Sequence, residues 1–258
     1  MLIAITRQVS PAMENCELTH LVRQPIDIQL ARRQHRAYEE ALTGIGCQVQ
    51  HMPASPELPD SVFVEDAAVV FDELAIITRP GAISRRPETT SVADALRPYR
   101  PLFMIDAPGT VDGGDVLQVG NIVYVGLSSR SNAQAIGQMQ TILSQFGYQV
   151  RSVEVNGFLH LKSAVTQLAE DILLVNPAWV EPRIFENIQV VAVDANEPYG
   201  ANALWIGEGV IYPASFPRTR QRIEKALEKY RFQIYGVDVS ELQKAEGAVT
   251  CCSLIFRS

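Results

Sequence analysis

The chain has 258 residues, 47% of them apolar, which is enough to bury a sizeable core and excludes a disordered protein. Its formal net charge of −7 has the wrong sign for a protein built to bind a phosphate backbone, and it suits a small cationic ligand better. No apolar run approaches the roughly 18 residues of a membrane span, and the four cysteines (Cys16, Cys47, Cys251, Cys252) show no C-x-x-C pair or repeated spacing, so a soluble, cytoplasmic chain with reduced thiols is expected.

In chain order, Leu2 to Thr6 reads as a strand, and Leu30 to Ile45 as a helix ended by Gly44 and Gly46, with a second strand over Cys47 to Met52. A hairpin follows over Ala67 to Arg79, turning at Asp72-Glu73. The same pattern returns over Val116 to Leu127 (turn Gly120-Asn121), Ala164 to Asn176 (near Ala169-Glu170) and Ala203 to Ala214 (Gly207-Glu208). Helix-like segments lie between, the clearest being Ser131 to Phe146 behind a Ser N-cap candidate, and Pro217 to Tyr230 is another. Strand-like runs follow them over Gln149 to Val155 and Phe232 to Val239, and Cys252 to Arg257 closes the chain.

The turns recur roughly every 40 to 50 residues, a period that fits a closed radial array better than a doubly wound sheet. The expected fold is therefore α/β, with five blades of strand-strand-helix-strand around a central pocket in one domain. The two chain ends supply the halves of the fifth blade. Within this repeat the polar residues share a phase. Glu65 and Asp66 precede the first hairpin, Asp112 and Asp115 the second, His160 and Lys162 the third, and Cys251 opens the last strand. Equivalent positions in a radial array project toward the same end of the axis, so these residues are expected to converge.

Singly, each has an ordinary structural explanation: Asp66 as a turn acid, Gly113-Gly114 as a turn needing positive φ, the cysteines as inert core thiols. Together they pose a chemical question. Carboxylates beside a nucleophilic thiol raise its pKa, which makes sense only if the substrate brings positive charge. A guanidinium does so, and its planar fork matches carboxylates.

Five motifs carry a family resemblance: Leu58-Pro59-Asp60-Ser61-Val62-Phe63-Val64-Glu65-Asp66, Ile77-Thr78-Arg79-Pro80-Gly81-Ala82, Asp112-Gly113-Gly114-Asp115-Val116-Leu117, Leu159-His160-Leu161-Lys162-Ser163 and Thr250-Cys251-Cys252-Ser253. In this order they resemble the dimethylarginine dimethylaminohydrolases, guanidino-group-modifying enzymes of the pentein, or five-bladed β/α propeller, fold. The resemblance implies hydrolysis of Nω-methylated arginines to citrulline and a methylamine through a covalent thiouronium. It implies Cys251 as nucleophile and His160 as general acid and then base. Asp66 and Asp112 would form the guanidinium clamp with Glu65 beside them, Asp112 also orienting His160. Asp60 would hold the α-amino group, Arg85 and Arg130 the α-carboxylate, and Phe63 would wall the pocket. Backbone carbonyl contacts would come from near Met13 and Ala245, with Ser10 to Thr19 as a lid.

Two positions depart from some relatives: Asp112 where a Glu occurs, and Met13 where a Leu occurs. Alternation along a strand would let only one of Cys251 and Cys252 face the pocket, and the resemblance selects Cys251. No G-x-G-x-x-G, P-loop or H-E-x-x-H motif occurs, so no cofactor and no metal are expected. The expected partner is a small guanidino amino acid, with neither nucleic acid nor membrane, and the chain is expected to be a monomer or homodimer. A deiminase or amidinotransferase of the same fold is the alternative reaction, although agmatine would leave Arg85 and Arg130 without a role. A non-catalytic propeller scaffold is the alternative from another class.

Overall fold

The computed structural model describes residues 1–258. Strand β1 (Leu2–Arg7) leads to helix α1 (Ile28–Ile45) and strand β2 (Gln48–Met52). Asp27 caps α1 by accepting the Leu30 N–H, and Gly46, at φ 102°, ends it in the left-handed conformation that glycine tolerates best. The second unit comprises β3 (Ala68–Val70), β4 (Ala75–Ile77), α2 (Glu88–Leu96) and β5 (Leu102–Met104). The third comprises β6 (Val116–Val119), β7 (Ile122–Leu127), α3 (Ala133–Leu143) and β8 (Gln149–Glu154). The single turn α4 (Leu161–Ala164) opens the fourth, which continues with β9 (Val165–Ala169), β10 (Ile172–Val175) and β11 (Gln189–Ala192). The fifth holds β12 (Leu204–Ile206), β13 (Gly209–Pro213), α5 (Pro217–Leu227) and β14 (Gln233–Val237), followed by α6 (Ser240–Gln243) and β15 (Leu254–Arg257).

These strands form five three-stranded sheets, in each of which the middle strand pairs antiparallel on one side and parallel on the other. The sheet begun by β1 is completed by β15, with Leu2 opposite Arg257 and Ile5 opposite Leu254. This is the five-bladed arrangement expected from the hairpin period.

The middle strands show why the sequence reads apolar without a break at these places. Ile3 and Ile5 of β1 join one buried cluster and Ala4 another; Val123 and Val125 of β7 join one and Tyr124 the next. Leu173 and Val175 of β10 separate from Ile172 and Leu174 in the same way. Successive side chains point to opposite faces of a strand. A blade wedged between two neighbours therefore buries both faces, and the core is divided into clusters between blades.

Four details differ from the sequence reading. The fourth unit has no α-helix between β10 and β11, only the 3-10 turn Pro182–Ile184. Its hairpin turns at Glu170-Asp171 because β9 runs through Ala169. Helix α3 is capped by Asn132, which accepts the Ala135 N–H, while Ser131 donates its hydroxyl to Asp115. Helix α2, strand β5 and strand β11 are elements beyond those expected from the sequence. No helix is long and apolar enough to cross a membrane.

Candidate active site

The segments that immediately precede the inner strands of four blades carry the candidate residues. Glu65 and Asp66 lie in a 3-10 turn before β3, Asp112 caps and Asp115 ends another before β6, His160 caps α4 before β9, and Cys251 lies in the turn before β15. A narrow cleft is lined by Asp60, Phe63, Asp66, Arg85, Arg130, His160, Ala245 and Cys251, together with Glu17, Leu159, Glu246 and Gly247.

The imidazole of His160 is buried between two acids. Its Nε2 lies 3.1 Å from Asp112 Oδ2 and its Nδ1 lies 3.9 Å from Asp66 Oδ1. Asp112 Oδ1 accepts the Gly81 N–H at 2.9 Å. Asp115, one helical turn on, accepts the hydroxyls of Ser128 and Ser131 and the N–H of Leu161, so the loop of Asp112 is tied to the residue beside His160. Burial would lower the pKa of His160, but Asp66, the hydrogen bond His160 donates to Asp112, and the charges of Asp115 and Asp112 raise it to about 9. Burial would conversely raise Asp66, yet His160, Arg85 and the Gly114 N–H hold it down at about 2. The resting pair is therefore imidazolium and carboxylate. In stability terms the His160 contribution is fully present below the ordinary 6.5 and is lost as pH rises through about 9. NMR titration of His160 in the free protein is expected to give a midpoint near 9, moving down in Asp66→Asn; an unmoved midpoint would remove Asp66 as the main raising charge.

Gly113 and Gly114 are required for space. Neither has a positive φ. A Cβ on Gly113 would lie 1.9 Å from the Glu65 carbonyl, and one on Gly114 would lie 2.5 Å from His160 Nδ1. The glycine pair lets two loops and the imidazole approach one another, and the turn requirement expected from the sequence is absent.

Cys251 and Cys252 both sit in a turn ahead of β15, so strand alternation does not separate them. The turn still gives them different fates. Cys251 faces the cleft, whereas Cys252 is fully buried with its Sγ 3.4 Å from the Ala248 carbonyl. Burial, then Glu65 and Asp66, push the Cys251 thiol up.

Three expectations are corrected. Asp112 is fully buried behind His160, outside the cleft lining, and its two oxygens serve Gly81 and His160. It orients the imidazole and is not placed to clamp a guanidinium. Glu65 is turned the other way, its Oε1 2.6 Å from Lys162 Nζ and its Oε2 accepting from Thr250 Oγ1, so it acts on the thiol only by its charge. Met13 is wholly buried in a core cluster, outside the cleft lining, and its carbonyl accepts the Cys16 N–H. The lid segment reaches the cleft through Glu17 instead.

Arg85 and Arg130 differ sharply. Arg85 makes five hydrogen bonds, to Asp66 at 2.6 Å, to both oxygens of Glu88 and to the carbonyls of Asp60 and Phe63. Removing it would strand two buried acids, a loss of about 3 to 5 kcal/mol. Arg130 has only Thr19 Oγ1 at 2.8 Å and Asp112 at 3.9 Å, so it is the freer cation at the cleft. Asp60 accepts the Glu17 N–H, and burial raises its pKa.

One site residue was missed although the repeat phase pointed to it. Asn202 stands before β12 as His160 stands before β9. Its Oδ1 accepts the Thr250 N–H and its Nδ2 donates to Thr250 Oγ1, fixing the residue before Cys251. Glu17 and Glu246 carry no comparable sequence signal.

A family model for eukaryotic N,N-dimethylarginine dimethylhydrolase matches residues 13–193. A dimethylarginine dimethylaminohydrolase of Pseudomonas aeruginosa is 38% identical over 232 residues, covering 89% of this chain and 90% of that protein. The chain belongs to the dimethylarginine dimethylaminohydrolase family. A second dimethylarginine dimethylaminohydrolase, from Streptomyces coelicolor, is 38% identical over 257 residues, 98% of this chain and 96% of that protein. The solved Pseudomonas aeruginosa enzyme, a cysteine-to-serine mutant complexed with citrulline, superposes with a TM-score of 0.92 at 37% identity, covering 98% of each chain. The N-terminal domain of ArgZ shares the fold at 18% identity and a TM-score of 0.84, covering 99% of this chain and 97% of that one.

Proposed function

We propose that this dimethylarginine dimethylaminohydrolase family member hydrolyses dimethylarginine to citrulline and dimethylamine, with Cys251 as nucleophile and His160 as proton carrier. The ligand is a small cationic guanidino amino acid. The observation that carries the assignment of roles is the presence of Cys251, His160 and Asp66 in one cleft, with the imidazole held charged between Asp66 and Asp112.

The electrostatics divide the work. In the free protein the thiol is kept neutral by burial and by Glu65 and Asp66. A bound guanidinium beside it supplies the missing positive charge and favours thiolate, the thiol proton leaving to solvent. The sulfur then attacks the guanidinium carbon, and His160 donates its proton to the departing dimethylamine as the C–N bond breaks. This leaves an S-alkylthiouronium on Cys251 and a neutral imidazole. Water gives a proton to that imidazole and adds to the same carbon. Loss of the sulfur and of the hydroxyl proton yields the ureido oxygen of citrulline, a free cysteine and an imidazolium. Asp112 orients the ring throughout, and Asp66 is the acid that faces the guanidinium.

Purified protein given a panel of guanidino compounds is expected to form ureido product from dimethylarginine and monomethylarginine. Turnover of arginine or agmatine in their place would reject the assignment. Arg130→Ala is expected to raise KM about tenfold or more, the loss of a charge-assisted bond, for substrates bearing an α-carboxylate. An unchanged preference between an amino acid and its decarboxylated analogue would take Arg130 out of that role.

A further inference from the structure

Residues 17–26 cross from the first strand region toward α1 without donating or accepting a single backbone–backbone hydrogen bond. A segment of that kind opens locally unless side chains hold it. Here the holding groups are few. Glu246 accepts the N–H groups of Thr19 at 2.9 Å, His20 at 2.5 Å and Leu21 at 2.7 Å on its two carboxylate oxygens. Lys244 donates to the Pro25 carbonyl at 3.0 Å. Arg23 donates back to the carbonyls of Glu14 and Cys16.

Glu246 is itself unusual. Its φ of 58° places a non-glycine side chain in the left-handed region, a conformation that is strained for such a residue and persists only where the surroundings impose it. It lies between Ala245 and Gly247, and a Cβ on Gly247 would sit 2.2 Å from the Phe63 ring. The turn that carries the nucleophile thus also presents a carboxylate to three adjacent amides. Those amides belong to the stretch that completes the cleft. Thr19 Oγ1 accepts from Arg130, Glu17 N–H donates to Asp60, and Ser84 donates to the Glu17 carboxylate.

We propose that Glu246 is a positioning residue that latches residues 17–26 across the cleft and, through Thr19 and Glu17, fixes Arg130 and Asp60 for the amino acid end of the substrate. The proposal rests on the dimethylarginine reading for what Arg130 and Asp60 hold, while the latch itself rests on the hydrogen bonds alone. Charge on the substrate's reacting end is handled by Asp66 and His160, which Glu246 does not touch. The latch therefore governs binding of the α-amino and α-carboxylate groups more than the chemical step.

Glu246→Gly is the discriminating variant, because it removes the carboxylate and at the same time relieves the left-handed backbone. Hydrogen exchange of the Thr19, His20 and Leu21 amides is expected to accelerate at least tenfold. KM for dimethylarginine is expected to rise about tenfold with kcat within about threefold, as for loss of uniform binding. Alkylation of Cys251 by chloroacetamidine, a probe without an amino acid end, is expected to keep its wild-type rate and so report an intact cleft. Exchange at the wild-type rate overturns the latch whatever the substrate. Faster exchange with unchanged KM overturns the positioning role. A wild-type protein inert toward dimethylarginine, with exchange still responding to Glu246→Gly, sinks the functional reading and upholds the latch.

Discussion

Replacing Cys251 with serine is expected to reduce turnover by at least about 10⁴-fold, the loss typical of removing a covalent nucleophile, while Cys252→Ser retains most of it. The contrast follows from position. Cys251 lines the cleft beside Asp66 and His160, whereas Cys252 is sealed in the core with the Ala248 carbonyl as its acceptor. A hydroxyl at Cys251 is too weak a nucleophile for a carbon already stabilised by three nitrogens, and nothing in the cleft deprotonates it. At Cys252 the serine hydroxyl replaces a weak donor by a stronger one to the same carbonyl, so the change is one of stability. Steady-state release of dimethylamine from both variants, with mass spectrometry for a covalent adduct, is the measurement. Retained activity in Cys251→Ser with loss in Cys252→Ser would reassign the nucleophile.

Gly114→Ala is expected to lower kcat about 100-fold, as a displacement of catalytic geometry by about an ångström does. The added methyl would stand 2.5 Å from His160 Nδ1 and 2.9 Å from Asp66 Oδ1. Neither neighbour is the free end of a flexible chain. The ring is fixed on its other side by Asp112, and Asp66 by the Arg85 ion pair at 2.6 Å. Something in the acid–imidazole–acid stack must shift, and overpacking of this kind costs about 1 to 3 kcal/mol. The control is Gly120→Ala. Gly120 has φ 58° in the β6–β7 turn with open space around it, so alanine there costs stability through the backbone and leaves kcat alone. A Gly114→Ala enzyme with wild-type kcat and an unchanged His160 titration would show that the close approach is not needed.

The amino acid order by itself determined the blade count. Four hairpins recurring roughly every 40 to 50 residues and strand-like ends leave little other way to bury the strands, because a middle strand that is apolar on both faces needs a neighbour on each face. The phase of the acids, the histidine and the cysteine within that repeat also announced their convergence. Had that phase been applied to the fourth hairpin, it would have named Asn202.

What only the tertiary structure decided is the direction of each side chain at the meeting point. Asp66 and Asp112 look alike in sequence, yet one faces the cleft and the other lies behind the imidazole. Glu65 turns to Lys162, and Arg85 is consumed by Glu88 and Asp66 while Arg130 is held only by Thr19 and, at longer range, Asp112. Such choices depend on contacts between residues far apart along the chain, and no local period encodes them. The latch at Glu246 is the extreme case: its amide partners lie 225 to 227 positions away, and its strained backbone has no signature in the run Lys244-Ala245-Glu246-Gly247. Periodic burial is a property of neighbours in sequence, whereas the orientation of a buried charge is set by whichever opposite charge the closed ring brings within reach.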